Sequence, residues 1–260
     1  MKTSRVVFLL AIPLMLAAAP AQAETGDLKL RFEYGGEVLA PPAVNVNKDI
    51  EFCGKHGLKS EKLLINTDNK GLKNVIVYVY TGRGKSDLPK RDESQTHTLA
   101  NENCRFNPHI VLAQSGDKLE VTNPDPVGHN ANLSFIINRP ENFTVPTGGS
   151  KAVELVEAEP APIPVECNIH PWMKAHVVVL DHPFAAKSDE NGELVIKGLP
   201  AGDELTFRVW VEAASGAIGE VSMDGKTVDL GRRNTFEVEI EPGLNDVGTV
   251  IIPAEALPAE

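Results

Sequence analysis

The sequence predicts an all-β sandwich protein, on three observations. Short runs of β-branched and aromatic residues recur along the chain, turn residues punctuate them at short intervals, and no long stretch keeps the 3.6-residue period of a helix. The 19 prolines disfavour long helices further.

The first element is a leader. Lys2 and Arg5 precede the apolar run Val6 to Ala19, and Ala21-Gln22-Ala23 supplies the small residues of a cleavage site before Glu24. An apolar run of about 14 residues is short of the ~20 that span a bilayer. Residues 1–23 are therefore expected to be a cleaved signal peptide, and the mature chain a soluble protein of the periplasm or the extracellular space. No later stretch is long and apolar enough for a membrane span. Losing Lys2 and Arg5 takes the formal charge from −11 to −13. That balance excludes nucleic acid as a partner, because phosphates need a basic face.

The strands follow. Leu28 to Tyr34 alternates apolar and polar, and Val75 to Tyr80 is a continuous β-branched and aromatic run. Further runs are Ile110 to Leu112, Leu119 to Thr122, Leu133 to Ile137, Ala175 to Leu180, Leu194 to Ile196, Leu205 to Val211, Thr235 to Ile240 and Val247 to Ile252. Gly35-Gly36, Asn69-Lys70-Gly71, Ser115-Gly116-Asp117, Asn123-Pro124-Asp125, Gly148-Gly149, Asn191-Gly192 and Asp224-Gly225 mark the turns between them. The Pro-rich segment 157–164 reads as a stiff extended loop.

A domain boundary is expected at Asp181 to Pro183, giving a first domain over 24–182 and a small β-domain over 183–260. The stretch from Ser188 to Gly202, with its Asp189-Glu190-Asn191-Gly192 turn and Leu199-Pro200-Ala201-Gly202 turn, resembles the carboxypeptidase-regulatory-like β-sandwich. Thr206 to Glu212 matches the next strand of such modules. The resemblance covers about 30 residues and implies a fold, not an activity.

Three cysteines, Cys53, Cys104 and Cys167, are an odd number for an oxidising compartment, so one thiol needs a chemical reason. Cys167-Asn168-Ile169-His170-Pro171-Trp172-Met173 supplies one. A thiolate, an imidazole and a thioether in one tight loop suit copper, whose electron-transfer sites take two histidines, a cysteine and a weak axial methionine. A second histidine is available at His129, after the strand Leu119 to Thr122.

These residues resemble the cupredoxins, and the loop spacing resembles the amicyanin loop, with two residues between Cys167 and His170 and two between His170 and Met173. Gly116-Asp117, the following strand, Asn123 and then His129-Asn130 match the upstream part of the family pattern, 38 residues before Cys167. The resemblance implies a cupredoxin-like Greek-key sandwich with one type 1 copper held by His129, Cys167, His170 and Met173. It also implies that Asn130 orders the loop carrying the thiolate. Pro171, Trp172 and an exposed ring edge of His170 are expected to form the docking and electron-exit surface; a Trp172 that simply caps the core is the alternative.

Cys53 and Cys104 remain as a disulfide pair, whose closure contributes about 4 kcal/mol in the chain-entropy model. A second metal site formed with His56 and His109 is the competing reading. The region 36–108 is an elaboration on the smallest cupredoxins. Its Cys53-Gly54 step, the Leu72 to Tyr78 strand and Cys104-Arg105-Phe106-Asn107-Pro108-His109 resemble exported cupredoxin-like proteins labelled as methylamine-utilisation proteins. His97, His176 and His182 show no partner pattern.

The expected function is that of a one-electron carrier between redox proteins, such as a c-type cytochrome or a periplasmic oxidoreductase. A copper enzyme would need a further copper held by His-x-His pairs, and the sequence has none. A non-redox surface or binding module on the same scaffold is the alternative. Copper storage has thin support from 4 methionines.

Overall fold

The computed structural model describes residues 24–82 and 86–258. The expected signal peptide lies outside them. Among the described residues no helix is long and apolar enough to cross a membrane. The chain forms two β-sandwiches, each a five-stranded sheet over a four-stranded one.

In the first sandwich the five-stranded sheet runs in the order Glu141–Val145, His129–Leu133, Ile163–Glu166, Lys174–Leu180, Ile110–Gln114. The four-stranded sheet runs Ser150–Leu155, Asp117–Thr122, Thr96–Glu102, Arg105–Asn107. Leu99, Phe106, Leu119, Val121, Leu133, Val165, Val177 and Val179 close the core between them. The two edge strands at Glu141–Val145 and Ser150–Leu155 interleave polar with apolar side chains and bury few of them, which is why no apolar run announces them.

The second sandwich does not follow the boundary expected at 181–183. Its five-stranded sheet runs Glu193–Pro200, Thr25–Tyr34, Gly243–Ile252, Glu220–Met223, Lys226–Asp229. Its four-stranded sheet runs Ala185–Lys187, Ile76–Val79, Glu204–Trp210, Thr235–Glu239. Thr25–Tyr34 and Ile76–Val79 precede the boundary in sequence, yet they are interior strands here. Strand pairing selects complementary faces, not sequence neighbours. The alternating Leu28, Leu30, Phe32 and Tyr34 fill the same core as Phe207, Val209, Val250 and Ile252.

The unbroken apolar runs explain how the two sandwiches join. All four residues of Ile76–Val79 are buried. Val77 and Val79 face the second core, whereas Ile76 and Tyr78 meet Ile110 and Val178 of the first sandwich in a seam. Val178 sits between Val177 and Val179, which face the first core. A strand buried on both faces loses the polar alternation, and these two runs show it. Lys187 adds a polar tie across the seam, its Nζ donating to the Ile110 carbonyl at 2.7 Å.

One expected strand is displaced. The run Leu133 to Ile137 predicts a strand, but the strand is His129–Leu133 and the chain turns after it. The buried Glu159 carboxylate causes the turn, because it accepts the backbone N–H groups of Ile136, Ile137 and Asn138. A carboxylate satisfying three successive donors removes them from any ladder.

Segment 36–63 wraps the end of the first sandwich. It carries a short helix at Ile50–Cys53 and a 3-10 turn at Gly54–His56, and Val44, Val46 and Phe52 pack on the first core. Cys53 is joined to Cys104 by a disulfide, which fixes this segment over the sandwich. The competing Cys53, His56, Cys104 and His109 metal site is thereby corrected, since neither sulfur is a free thiolate.

Candidate metal centre

Cys167 is the free cysteine, and it is buried. It follows the Ile163–Glu166 strand, and the loop after it returns at once into Lys174–Leu180. Two backbone hydrogen bonds close that loop: Cys167 N–H donates to Met173 O at 3.2 Å, and Met173 N–H to His170 O at 2.9 Å. His129 opens the neighbouring strand. Adjacent strand ends therefore bring His129, Cys167 and His170 together, with one donor atom of each within 4.8 Å of the others. His129 and His170 are fully buried. Met173, the fourth expected ligand, is buried in the same core.

The two imidazoles are oriented alike. His129 Nε2 lies 2.9 Å from Asp125 Oδ2, and His170 Nε2 lies 2.8 Å from Asp49 Oδ2. A carboxylate at that distance holds the proton on Nε2 and leaves a lone pair on Nδ1. The two Nδ1 atoms are 3.0 Å apart, and His170 Nδ1 is 3.7 Å from Cys167 Sγ. Two nitrogen lone pairs and a sulfur converge on one buried point. A proton or a cation must lie among them, because bare lone pairs at that distance repel. The set of one soft thiolate and two imidazoles fits copper.

Protonation at the sulfur follows the same geometry. Burial raises the pKa of the Cys167 thiol, but hydrogen bonding to His129 and His170 and from the Asn130 N–H lowers it more, to about 6. Burial likewise lowers the pKa of His170, and its contacts with Cys167 and Asp49 outweigh that and raise it.

Asn130 links the His129 strand to the loop that carries Cys167. Its backbone N–H donates to Cys167 Sγ at 3.3 Å, and its side-chain oxygen accepts the Asn168 N–H at 3.1 Å. Its amide nitrogen is held by Asn142 Oδ1 and Phe143 O. One side chain thus ties the His129 strand, the thiolate loop and the neighbouring edge strand. Asp125 is a residue that sequence reasoning passed over. It also accepts the N–H groups of Asn103 and Cys104, so it locks the disulfide hairpin to the His129 ring. Its place in the Asn123-Pro124-Asp125 turn, four residues before His129, was a usable signal. Asp49 had none, being 121 residues from its partner.

The expected docking surface needs a correction. Pro171 is exposed and Trp172 half-buried, but the ring edge of His170 is not exposed. Asp49 covers it, on the segment that the disulfide holds in place. Trp172 packs against His170 with ring centroids 5.1 Å apart and donates its indole N–H to Cys104 O. Pro171 and Trp172 line a cleft of about 560 Å³ along with Lys59, Arg105, His109 and Glu212.

His97, without a partner pattern in the sequence, pairs with the buried Asp117 at 2.8 Å. His182 hydrogen-bonds to Val79 O at the join of the two sandwiches. His176 lies against Trp210 in the seam, and burial lowers its pKa to about 4.

No protein-family model and no curated protein matches this chain. Among solved structures it is similar to the Cu-containing nitrite reductase of Thermus scotoductus SA-01. That match has 18% identity over 38% of this chain and 24% of that one, with a TM-score of 0.29. A mutant amicyanin in the Cu(I) form matches at 15% identity over 32% of this chain and 79% of that one, with a TM-score of 0.28. A second mutant amicyanin, reduced at pH 4, matches at 18% identity over 34% and 84%, again with a TM-score of 0.28. Each likeness covers about a third of this chain, and the chemistry of the centre rests on its own residues.

Proposed function

We propose that this chain is an exported, cupredoxin-like type 1 copper protein that carries single electrons between redox partners. The observation that supports it best is the convergence of His129 Nδ1, His170 Nδ1 and Cys167 Sγ, with both far ring nitrogens held by carboxylates. His129, Cys167 and His170 would hold the ion, with Met173 as the axial ligand. Bound copper would supply a one-electron couple.

The protein's part is to keep the donors still. The three strongest come from two adjacent strand ends of a rigid sheet, and Asn130, Asp125 and Asp49 fix their orientations. Ligands held in place by outer hydrogen bonds move little when the charge on the ion changes. Full burial of His129 and His170 excludes water. With the His170 edge covered by Asp49, electrons would leave through Trp172 and the cleft wall it forms with Pro171. An acidic chain favours a cationic redox partner, such as a c-type cytochrome, approaching in the periplasm or outside the cell.

The deciding experiment is the visible absorption and EPR spectrum of the mature protein with one equivalent of Cu(II). An intense thiolate-to-copper band with narrow hyperfine splitting, lost in Cys167→Ala, is expected. A protein that stays colourless and takes up no copper would overturn the reading. It would favour a non-redox binding module, to which the covered His170 edge already lends some weight.

A further inference from the structure

A second group of donors lies in the seam, and the copper centre leaves it unused. His109 follows the Arg105–Asn107 strand, and His176 lies beside it on Lys174–Leu180, its N–H donating to His109 O at 2.9 Å. Glu212 comes from the second sandwich, just past Glu204–Trp210. One donor atom from each lies within 4.8 Å of the others. His109 Nε2 is 2.6 Å from Glu212 Oε2, and His176 Nδ1 is 3.8 Å from that same oxygen.

Two ring nitrogens here are buried with no hydrogen-bond partner, His109 Nδ1 and His176 Nδ1. The His109 side chain is only 6% exposed, and its Nδ1 stands 3.9 Å from Glu61 Oε2. An unpaired buried polar atom costs about 1–3 kcal/mol, so two at one place call for a reason. The Glu212–His109 hydrogen bond accounts for neither of them. A metal ion would satisfy His176 Nδ1 directly. It would also convert the carboxylate–imidazole contact into two ligands. Bonds of ~2.0–2.1 Å in tetrahedral geometry place donors about 3.3 Å apart, and the observed 2.6 and 3.8 Å straddle that separation.

We propose that His109, His176 and Glu212 form a second metal site, for a borderline divalent ion such as zinc or copper(II), that clamps the two sandwiches together. Two imidazoles and a carboxylate are the donors such ions take, and the absence of sulfur separates this site from the first. Glu61 Oε2 faces the ring's other nitrogen at 3.9 Å, beyond hydrogen-bond distance. His109 and Glu212 line the cleft that also reaches Trp172, which leaves the remaining coordination positions open to water or a small ligand. The ion's ligands come from both sandwiches, so binding would stiffen the seam as well as fill the site.

Cobalt(II) titration of the unmodified mature chain, followed by absorption and equilibrium dialysis, tests this. Uptake beyond the thiolate centre is expected, with a cobalt spectrum lacking sulfur charge transfer and with a rise in Tm. Glu212→Gln keeps the shape and the hydrogen bond to His109, and His176→Asn removes a ligand. Both should lose the additional equivalent and the rise in Tm while any thiolate-to-cobalt band persists, which also reports that the variants fold. Uptake unchanged in both variants, or no uptake beyond the thiolate centre, overturns the proposal. If the type 1 reading alone fails, the charge-transfer band is missing, but the sulfur-free equivalent and its loss in Glu212→Gln remain.

Discussion

The two sandwiches have nearly the same strand plan and opposite interiors. The first buries Asp117, Asn123, Asp125, His129, Asn130, Glu159 and His170, each hydrogen-bonded, among its hydrocarbon side chains. Among described residues of the second, Ser188 and Asn234 are the buried polar side chains, with Asp181 and His182 at the join. The rest of its core is Leu, Ile, Val and Phe, with Tyr34 and Ala213. A buried polar network is costly unless every member is paired, whereas a hydrocarbon core needs only to fill space. The first sandwich is therefore built around a centre and the second around packing. Disturbing each should produce a different kind of damage.

The largest effect expected is in the first. Cys167→Ala should abolish thiolate-to-copper absorption altogether, while leaving the thermal transition of the copper-free protein near its original position, since the small side chain stays buried. A large drop in the Tm of the copper-free variant would mean that the thiolate holds the fold as well as the ion. In the second sandwich, Phe207→Ala should cost about 3–5 kcal/mol in denaturant unfolding with the absorption band unaltered. Phe207 is fully buried and packs on Phe236 with ring centroids 5.6 Å apart. A changed band would show that the seam transmits strain to the centre.

Removing the disulfide with Cys53→Ser and Cys104→Ser together should cost about 4 kcal/mol. It should also free the segment bearing Asp49, raising hydrogen exchange there.

Asp117 gives the first sandwich an acid sensitivity. Its burial raises the carboxyl pKa, but Arg91, the Gln95 and Gln114 N–H groups and His97 outweigh that and hold it well below the ordinary 3.8. A depressed folded-state value means the stabilisation is fully present above pH 3.8 and is lost as pH falls through the depressed value. Acid unfolding of the first sandwich below about pH 4 should be blunted in Asp117→Asn, at the cost of lower stability at neutral pH. Identical acid profiles for the two proteins would remove Asp117 from that role.

The smallest effect belongs to Asp49→Ala. Loss of the carboxylate on His170 Nε2 should weaken copper binding about 10-fold, the low end for an outer partner, because the Asp49 side chain is 42% exposed. It should also speed electron exchange by uncovering the ring edge; a slower rate would count against exit on that side.

The sequence showed more of the first centre than of the seam, and the reason is distance along the chain. Cys167, His170 and Met173 sit in one loop whose spacing is itself the signal. His129 opens a strand, and its neighbour Asn130 came with it. Asp125 is close to His129 in sequence, but its Asn-Pro-Asp setting signals only a turn. His109 and Glu212 are separated by 103 residues, and nothing in either neighbourhood names the other. The edge strands at Glu141–Val145 and Ser150–Leu155 are hidden for a different reason, since the first buries only Val145 and the second only Val153 and Leu155.

From the sequence alone follow the all-β class, the odd thiol with its histidine and methionine neighbours, and the strand runs Val75 to Tyr80 and Ala175 to Leu180. These are local properties, set by side-chain type and period. Which sandwich each strand joins, the cover that Asp49 lays over His170, and the meeting of His109, His176 and Glu212 were decided only in the tertiary structure. Strand pairing and ring orientation are settled by contacts across the whole chain. No local pattern records them.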